Sequence, residues 1–189
     1  EKEENMLELV CGTFSRVAVV LNVGNVIDMK FVEKYKPQAV MYVWQGGIEG
    51  GHGVADVLMG RVTPSGHLTD TIAYDIEDYP SAMNFGNETK SFYQEDIYVG
   101  YRYFETVAKD KVMYPFGYGL SYTVFAQEVT DKVQTGDEIS LTIKVTNTGD
   151  TAGKDVVQVY YQPPQGVLCK PTRNLIRFAK TKELQPGEE

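Results

Sequence analysis

Cysteine, histidine and tryptophan are scarce in this chain of 189 residues, which has two cysteines, two histidines and one tryptophan. Cys11 and Cys169 lie far apart in the sequence, so they form neither a disulfide framework nor a metal-binding motif. His52 and His67 alone do not supply the ligands of a histidine-based zinc site. We therefore expect neither a metal ion nor another cofactor.

Clusters of basic residues and long apolar runs are also lacking. The net charge is −8, and the 18 lysines and arginines are scattered, so no basic stripe could neutralise the phosphates of a nucleic acid. No apolar segment is long enough to span a bilayer, and the first ten residues lack the core of a secretion signal. We expect no nucleic-acid or membrane partner. The compartment stays open, with the cytoplasm favoured.

The first half of the chain alternates strand and helix patterns. Apolar runs at 17–21 and 39–44 are typical of strands that are covered on both faces. Apolar residues recur at helical spacing in three other segments, namely 2–14, 28–35 and 54–58. This β-α-β-α order predicts an α/β fold with a mainly parallel sheet and covering helices.

The second half changes to strand patterns from about Phe125. Residues 139–145 alternate between apolar and polar, as a strand that is wet on one face does. A turn at 147–153 precedes two further strands at 156–161 and 175–179. These patterns predict an antiparallel β-sandwich.

The predicted sandwich is incomplete. Only about four strands fit after Phe125, whereas an immunoglobulin-like sandwich needs roughly seven. We therefore expect the chain to be a fragment. Its predicted domains are an α/β portion at 1–124 and the start of a β-sandwich at 125–189.

Tyrosine and phenylalanine, 13 and 8 in all, are concentrated between Tyr74 and Phe104. Residues 61–121 have little periodicity and are predicted to be long ordered loops with short strands. Glu95, Asp96 and Glu105 lie in or next to the aromatic stretch. Aromatic faces stack on the C–H faces of sugars, and carboxylates accept hydrogen bonds from hydroxyls. The combination favours a polyhydroxylated ligand.

Ligands of open α/β sheets bind at the carboxyl ends of the strands, which here lead into loops 22–25 and 44–53. The glycine spacing of the second loop matches neither a dinucleotide fingerprint nor a P-loop, and Glu49 would repel an anion. The loop is either a structural turn or the wall of a cleft shared with another domain. Trp44 is either a core residue or a sugar platform. The cleft candidates are Trp44, Gln45, Glu49, Tyr93 and Glu95.

Glu49 and Glu95 are the carboxylates that we consider for catalysis. Glycoside hydrolysis typically uses two, one as acid and one as nucleophile or base. Glu95 could instead form a salt bridge to Arg102 or a hydrogen bond within its loop. The acidic residues at 75–78 are predicted to be a solvated loop. Ser65 and His67 are close in sequence but do not form a catalytic triad.

Several segments resemble glycoside hydrolase family 3, the β-glucosidase and β-xylosidase family. Residues 147–149, 153–160 and 184–188 resemble the fibronectin type III-like domain of that family. The segments that match the preceding domain, in family order, are Ala55–Gly60, Pro64–Leu68, Tyr93–Arg102 and Pro115–Phe125.

The resemblance implies part of a three-layer α/β sandwich, followed by an incomplete fibronectin type III-like sandwich. It implies a retaining exo-glycosidase whose nucleophilic Asp comes from a (β/α)8 barrel. The barrel segment and the segment of the acid/base Glu are not present in this chain. Residues 44–51 and 69–73 resemble a subgroup in which the barrel follows the fibronectin-like domain, so the position of the barrel stays open.

The sequence supports two hypotheses about the function of the chain, one an enzyme part and the other a binding module. In the first, the chain is a catalytically inactive fragment of a β-glucosidase-like enzyme, and it needs a barrel domain or chain as partner and a β-glucoside-like carbohydrate as substrate. In the second, it is a stand-alone carbohydrate-binding or scaffolding module. Binding of glucose or cellobiose to the isolated chain would favour the module.

Overall fold

The structure is a computed structural model that describes residues 2–189. Among these residues, four helices and eight strands follow one another, with three short 3₁₀ turns at Ile76–Asp78, Ala82–Asn84 and Lys109–Lys111. In chain order they are α1 (Lys2–Thr13), β1 (Ala18–Leu21), α2 (Lys30–Tyr35), β2 (Ala39–Tyr42), α3 (Gly50–Leu58), β3 (Ile72–Ala73), α4 (Tyr101–Val107), β4 (Val112–Tyr114), β5 (Phe125–Thr135), β6 (Glu138–Asn147), β7 (Val156–Tyr161) and β8 (Asn174–Lys180).

Strands β1 and β2 pair in parallel, with Ala18 opposite Ala39 and Leu21 opposite Tyr42. The predicted strand-helix-strand-helix order is therefore confirmed. Leu21, Met29 and Ile72 form the buried centre of the packing around this sheet. Burial of such side chains contributes about 1.5–3 kcal/mol each.

The sequence predicts that β1 is covered on both faces. Within the described residues 2–189 this prediction is wrong. Ala18 and Val20 are exposed, whereas Val17 and Leu21 are buried. Helix α1 buries no residue, although its spacing is helical as predicted. Buried or half-buried Val17, Val19 and Leu21 alternate with exposed Ala18 and Val20, so within this part of the chain one face of β1 is covered and the other is exposed.

Helix α4 lies within residues 61–121, where the sequence predicted only loops and short strands. Gly100 precedes it with φ 59° and ψ −126°, a conformation that residues with a side chain rarely adopt. Phe104 is 1% exposed and packs with Ala73 and Ala108. The apolar spacing of Tyr101, Phe104 and Ala108 is a helical signal that the loop prediction passed over.

The second half contains two antiparallel strand pairs. Strands β5 and β6 form a hairpin with an irregularity between Val129 and Asp131. Strands β7 and β8 pair with a shift between Val159 and Tyr160. The four strands predicted after Phe125 are therefore present. No helix of residues 2–189 combines the length and apolar character needed to cross a membrane.

Candidate functional site

The loops that follow β1 and β2 meet at the carboxyl end of the parallel pair. The Val43 amide donates to the Leu21 carbonyl at 3.0 Å and extends the pairing into the loops. The Gln45 side chain lies against Gly24, where a Cβ atom would come within 2.9 Å of Nε2. Trp44 and Gln45 are therefore held at the strand ends, the position at which open α/β sheets generally bind ligands.

Trp44 has φ 54°, in the left-handed region that tryptophan rarely adopts. Such backbone strain costs about 1–3 kcal/mol and is concentrated at functional sites. The indole ring is half-buried and contacts the Tyr42 ring, with 4.5 Å between centroids. Trp44 is thus neither fully in the core nor fully exposed, and one part of its surface is open to a ligand.

Tyr42 fixes the position of this ring. Its hydroxyl donates to the Asn25 carbonyl in the loop that follows β1. Burial raises the pKa of the Tyr42 phenol, because the ionised form would lose hydration. The phenol therefore keeps its proton at neutral pH and remains a donor to that carbonyl.

Glu49 directly precedes helix α3, and its carboxylate lies 2.6 Å from Nδ1 of His52. Both side chains are largely exposed. This pairing was not predicted, although an i, i+3 spacing at the start of a helix brings side chains together. In this arrangement Glu49 can accept hydrogen bonds from a hydroxylated ligand.

The second candidate loop carries Tyr93 and Glu95. Tyr93 is 93% exposed, whereas Glu95 is half-buried and accepts a hydrogen bond from the Ser81 hydroxyl at 3.3 Å. Within residues 2–189 Glu95 forms no ion pair with Arg102, so of these two contacts only a hydrogen bond is present, and its partner Ser81 lies outside the Tyr93 loop. Asp96 has φ 47°, which makes this loop, like the Trp44 loop, locally strained.

The two candidate carboxylates are held separately. Among residues 2–189, no hydrogen bond or ion pair joins Glu49 to Glu95, and each has its own partner. A retaining glycosidase needs two carboxyl groups about 5–5.5 Å apart that face one sugar. Carboxyl groups at that separation are not hydrogen-bonded to each other, so the separate partners of Glu49 and Glu95 do not test this spacing, and their catalytic roles stay a prediction.

The predicted solvated loop at 75–78 is only partly solvated. The Asp78 side chain is largely buried and lies 3.3 Å from the Lys111 ammonium group. Asp75 pairs with Lys30. Hydrogen bonds with Glu77 and Lys30 lower the pKa of the Asp75 carboxyl. These acids therefore fix the segment that follows β3 to neighbouring elements.

An open cavity of about 890 Å³ lies between residues 26–28 and residues 73–92. Met83, Phe85 and Phe92 line it and are exposed. None of the five predicted cleft residues lines it. The aromatic stretch between Tyr74 and Phe104 predicts a ligand surface, but its pattern does not separate this cavity from the Tyr93 loop. The apolar residues Ala82, Met83 and Phe85, unusual for a loop, were the available signal.

In the described part of the chain, no group of three or more His, Cys, Asp or Glu side chains is placed to hold a metal ion.

Comparison with protein families agrees with the sequence resemblance. The model of the glycosyl hydrolase family 3 C-terminal domain matches residues 1–122. The chain belongs to glycoside hydrolase family 3. The model of a fibronectin type III-like domain matches residues 155–189 of this family 3 chain.

Individual family 3 proteins match over nearly the whole chain. A β-glucosidase of Ruminococcus albus is 54% identical over 187 residues, which are 99% of this chain and 20% of that protein. The crystal structure of a β-glucosidase from Paenibacillus barengoltzii is 56% identical and has a TM-score of 0.95 over 100% of this chain and 21% of its own. A structure of β-glucosidase 3B from Thermotoga neapolitana in complex with glucose is 39% identical, with a TM-score of 0.92 over 100% of this chain and 27% of its own.

This chain thus spans about a fifth to a quarter of the length of these family 3 relatives. The matches confirm the predicted fold, an α/β portion followed by a fibronectin type III-like portion. They favour the enzyme fragment over the stand-alone module.

Proposed function

We propose that this chain is the non-catalytic part of a retaining, exo-acting β-glucosidase and forms one wall of its sugar pocket. The proposal rests on the match to β-glucosidases. The match extends over nearly the whole of this chain, and this chain corresponds to about a fifth of each of those proteins. The intact enzyme would hydrolyse terminal, non-reducing β-linked sugars.

The reactive groups would come from outside residues 1–189. A (β/α)8 barrel domain or chain would supply the Asp that attacks the anomeric carbon. A Glu, also outside this chain, would protonate the leaving oxygen and then activate water. The barrel is the partner of this chain, whether the barrel precedes or follows it in the sequence.

The chain's own residues would bind and orient the sugar. The half-buried Trp44 ring offers an aromatic face for the C–H groups of a pyranose. Gln45 and Glu49 offer an amide and a carboxylate for hydroxyl groups. In the second loop, Tyr93 offers an aromatic face and Glu95 offers a carboxylate. The boundary between the two domains, between 124 and 125, stays a prediction.

Substitutions in the intact protein separate binding from chemistry. We expect Trp44→Ala to raise KM for an aryl β-glucoside about 5–10-fold with little change in kcat, because stacking is worth about 1 kcal/mol in ground state and transition state alike. We expect Glu49→Gln and Glu95→Gln each to lower kcat less than about tenfold. Steady-state kinetics at saturating and limiting substrate give both constants.

Phe178 supplies the matched control, because it is an exposed aromatic residue on β8. Phe178→Ala should leave both constants unchanged. A loss of about 10³-fold or more in kcat for either glutamine variant would contradict the proposal, since general acid–base groups contribute about 10²–10⁴-fold. An unchanged KM for Trp44→Ala would remove Trp44 from the pocket.

A further inference from the structure

The Tyr93–Glu95 loop is joined to helix α4 without a flexible linker. The Asp96 amide donates to the Tyr93 carbonyl at 3.2 Å, and the Tyr98 amide donates to the Glu95 carbonyl at 2.7 Å. Gly100 then sets the entry into α4. Because successive turns connect the loop to the helix, a displacement of α4 moves the loop with it.

The loop has few other attachments. Ser81 donates to Glu95 at 3.3 Å, and Asn84 donates to Gln94 at 3.2 Å. Both are long side-chain hydrogen bonds at partly exposed positions, which contribute little. Tyr93 itself is almost fully exposed. The position of the loop therefore depends mainly on the position of α4.

Helix α4 is held in turn by residues of the fibronectin type III-like match. The backbone amide of Leu175 donates to the Tyr101 hydroxyl at 2.8 Å. The backbone amide of Thr172 donates to the Thr106 hydroxyl at 2.9 Å. Between these two contacts, the guanidinium group of Arg173 pairs with Glu105. We call these three contacts the α4 clamp.

The Arg173–Glu105 pair is the charged centre of the clamp. The Glu105 side chain is 19% exposed and that of Arg173 43%, so solvent screens the pair only in part. The guanidinium group also lies over the Tyr160 ring, 5.0 Å from its centroid. The Tyr160 ring meets the Tyr101 ring edge-on at 6.1 Å. Arg173 is thus packed between helix α4 and strand β7.

We propose that the fibronectin type III-like portion positions the Tyr93–Glu95 loop through Arg173, which locks helix α4 by its pairing with Glu105. Arg173 is a positioning residue, since it contacts helix α4 and acts on the loop only through that helix. The consequence for sugar binding rests on the proposed function, in which that loop faces the sugar.

The test measures hydrogen–deuterium exchange in the intact protein with three variants: Arg173→Gln, Glu105→Gln and the double variant. We expect amide exchange in residues 93–105 to rise about tenfold in each single variant, the effect of losing a partly buried charge-assisted hydrogen bond. The double variant should fall well short of the sum of the two single effects, because both changes remove the Arg173–Glu105 pair. A small additive part is expected, because Glu105 also lies 3.9 Å from the Lys109 ammonium group and Arg173 lies over the Tyr160 ring. KM for an aryl β-glucoside should rise about 3–10-fold with kcat changed less than twofold.

Arg177→Gln is the matched control, because Arg177 is exposed on β8 and makes no ion pair among the described residues. It should change neither exchange nor KM. The hairpin of β5 and β6 is the internal reference for general loss of stability. An Arg173→Gln protein that exchanges faster in 93–105 but not in this hairpin supports the clamp.

Unchanged exchange in 93–105 would overturn the inference, and so would an equal rise in the hairpin or fully additive effects in the double variant. A loosened loop with unchanged KM would leave the clamp standing. It would instead contradict the proposed function, because the loop would then not contact the sugar.

Discussion

Phe104→Ala is expected to lower the free energy of unfolding by about 3–5 kcal/mol, the usual loss for a fully buried phenylalanine. Phe104 is 1% exposed. Its ring meets those of Tyr79 and Tyr103 edge-on, each at 5.3 Å between centroids. Truncation of the ring leaves a cavity in this cluster. The other buried members, Ala73 and Ala108, are too small to fill it. Urea denaturation, followed by circular dichroism, measures the loss.

Phe85→Ala is the matched control for this substitution. Phe85 is 93% exposed, so its truncation should change the free energy of unfolding by less than about 0.5 kcal/mol. Equal losses for Phe104→Ala and Phe85→Ala would contradict the placement of α4 in the core. Faster exchange of 93–100 in the Phe104 variant would accompany the expected result, because α4 carries that loop.

Asn147→Ala is expected to cost about 3 kcal/mol, because it leaves several buried polar groups without partners. Asn147 is 0% exposed. Its side-chain amide donates to the carbonyls of Thr151 at 2.8 Å and Leu184 at 2.9 Å. Its side-chain oxygen accepts from the Thr123 hydroxyl at 2.7 Å and the Gly149 amide at 3.1 Å. One side chain therefore ties the end of β6 to two other segments.

Asn87→Ala controls for the loss of an asparagine at an exposed position. Asn87 accepts hydrogen bonds only from Thr89 and Lys90 in its own turn. Its replacement should cost less than about 0.5 kcal/mol in the same urea titration. A loss below about 1 kcal/mol for Asn147→Ala would show that the four partners find other acceptors and donors.

The strand positions could be predicted from the sequence because their patterns are local. The apolar run at 17–21 and the alternation at 139–145 report burial on two faces or on one. The resulting strands β1 and β6 are present within a few residues of the predicted bounds. The parallel pairing of β1 with β2 follows from the intervening helix, since a crossover connection returns the chain in the same direction.

Other features depend on tertiary contacts, which the local sequence pattern does not determine. The run at 17–21 predicts a strand covered on both faces, yet Val20 is exposed within residues 2–189. The spacing of Glu95 and Arg102 allows a salt bridge, but Ser81 provides the partner of Glu95 instead. Helix α4 is only seven residues long and is stabilised by tertiary contacts, so its periodic signal is weak.

The sequence predicts where Trp44 and Glu49 lie in the fold but not what they contact. The carboxyl-end rule places Trp44 and Glu49 at the strand ends, where the structure has them. The rule carries no information on the left-handed conformation of Trp44 or on the pairing of Glu49 with His52. The role of the five cleft residues in sugar binding stays a prediction.

Turnover of an aryl β-glucoside by purified residues 1–189, shown to be folded by circular dichroism, tests the central claim most directly. We predict no hydrolysis above the uncatalysed rate, because the proposed nucleophile and acid/base groups lie outside these residues. Turnover near the roughly 10 s⁻¹ typical of enzymes, abolished by Glu49→Gln or Glu95→Gln, would contradict the account and place the reactive carboxylates within this chain.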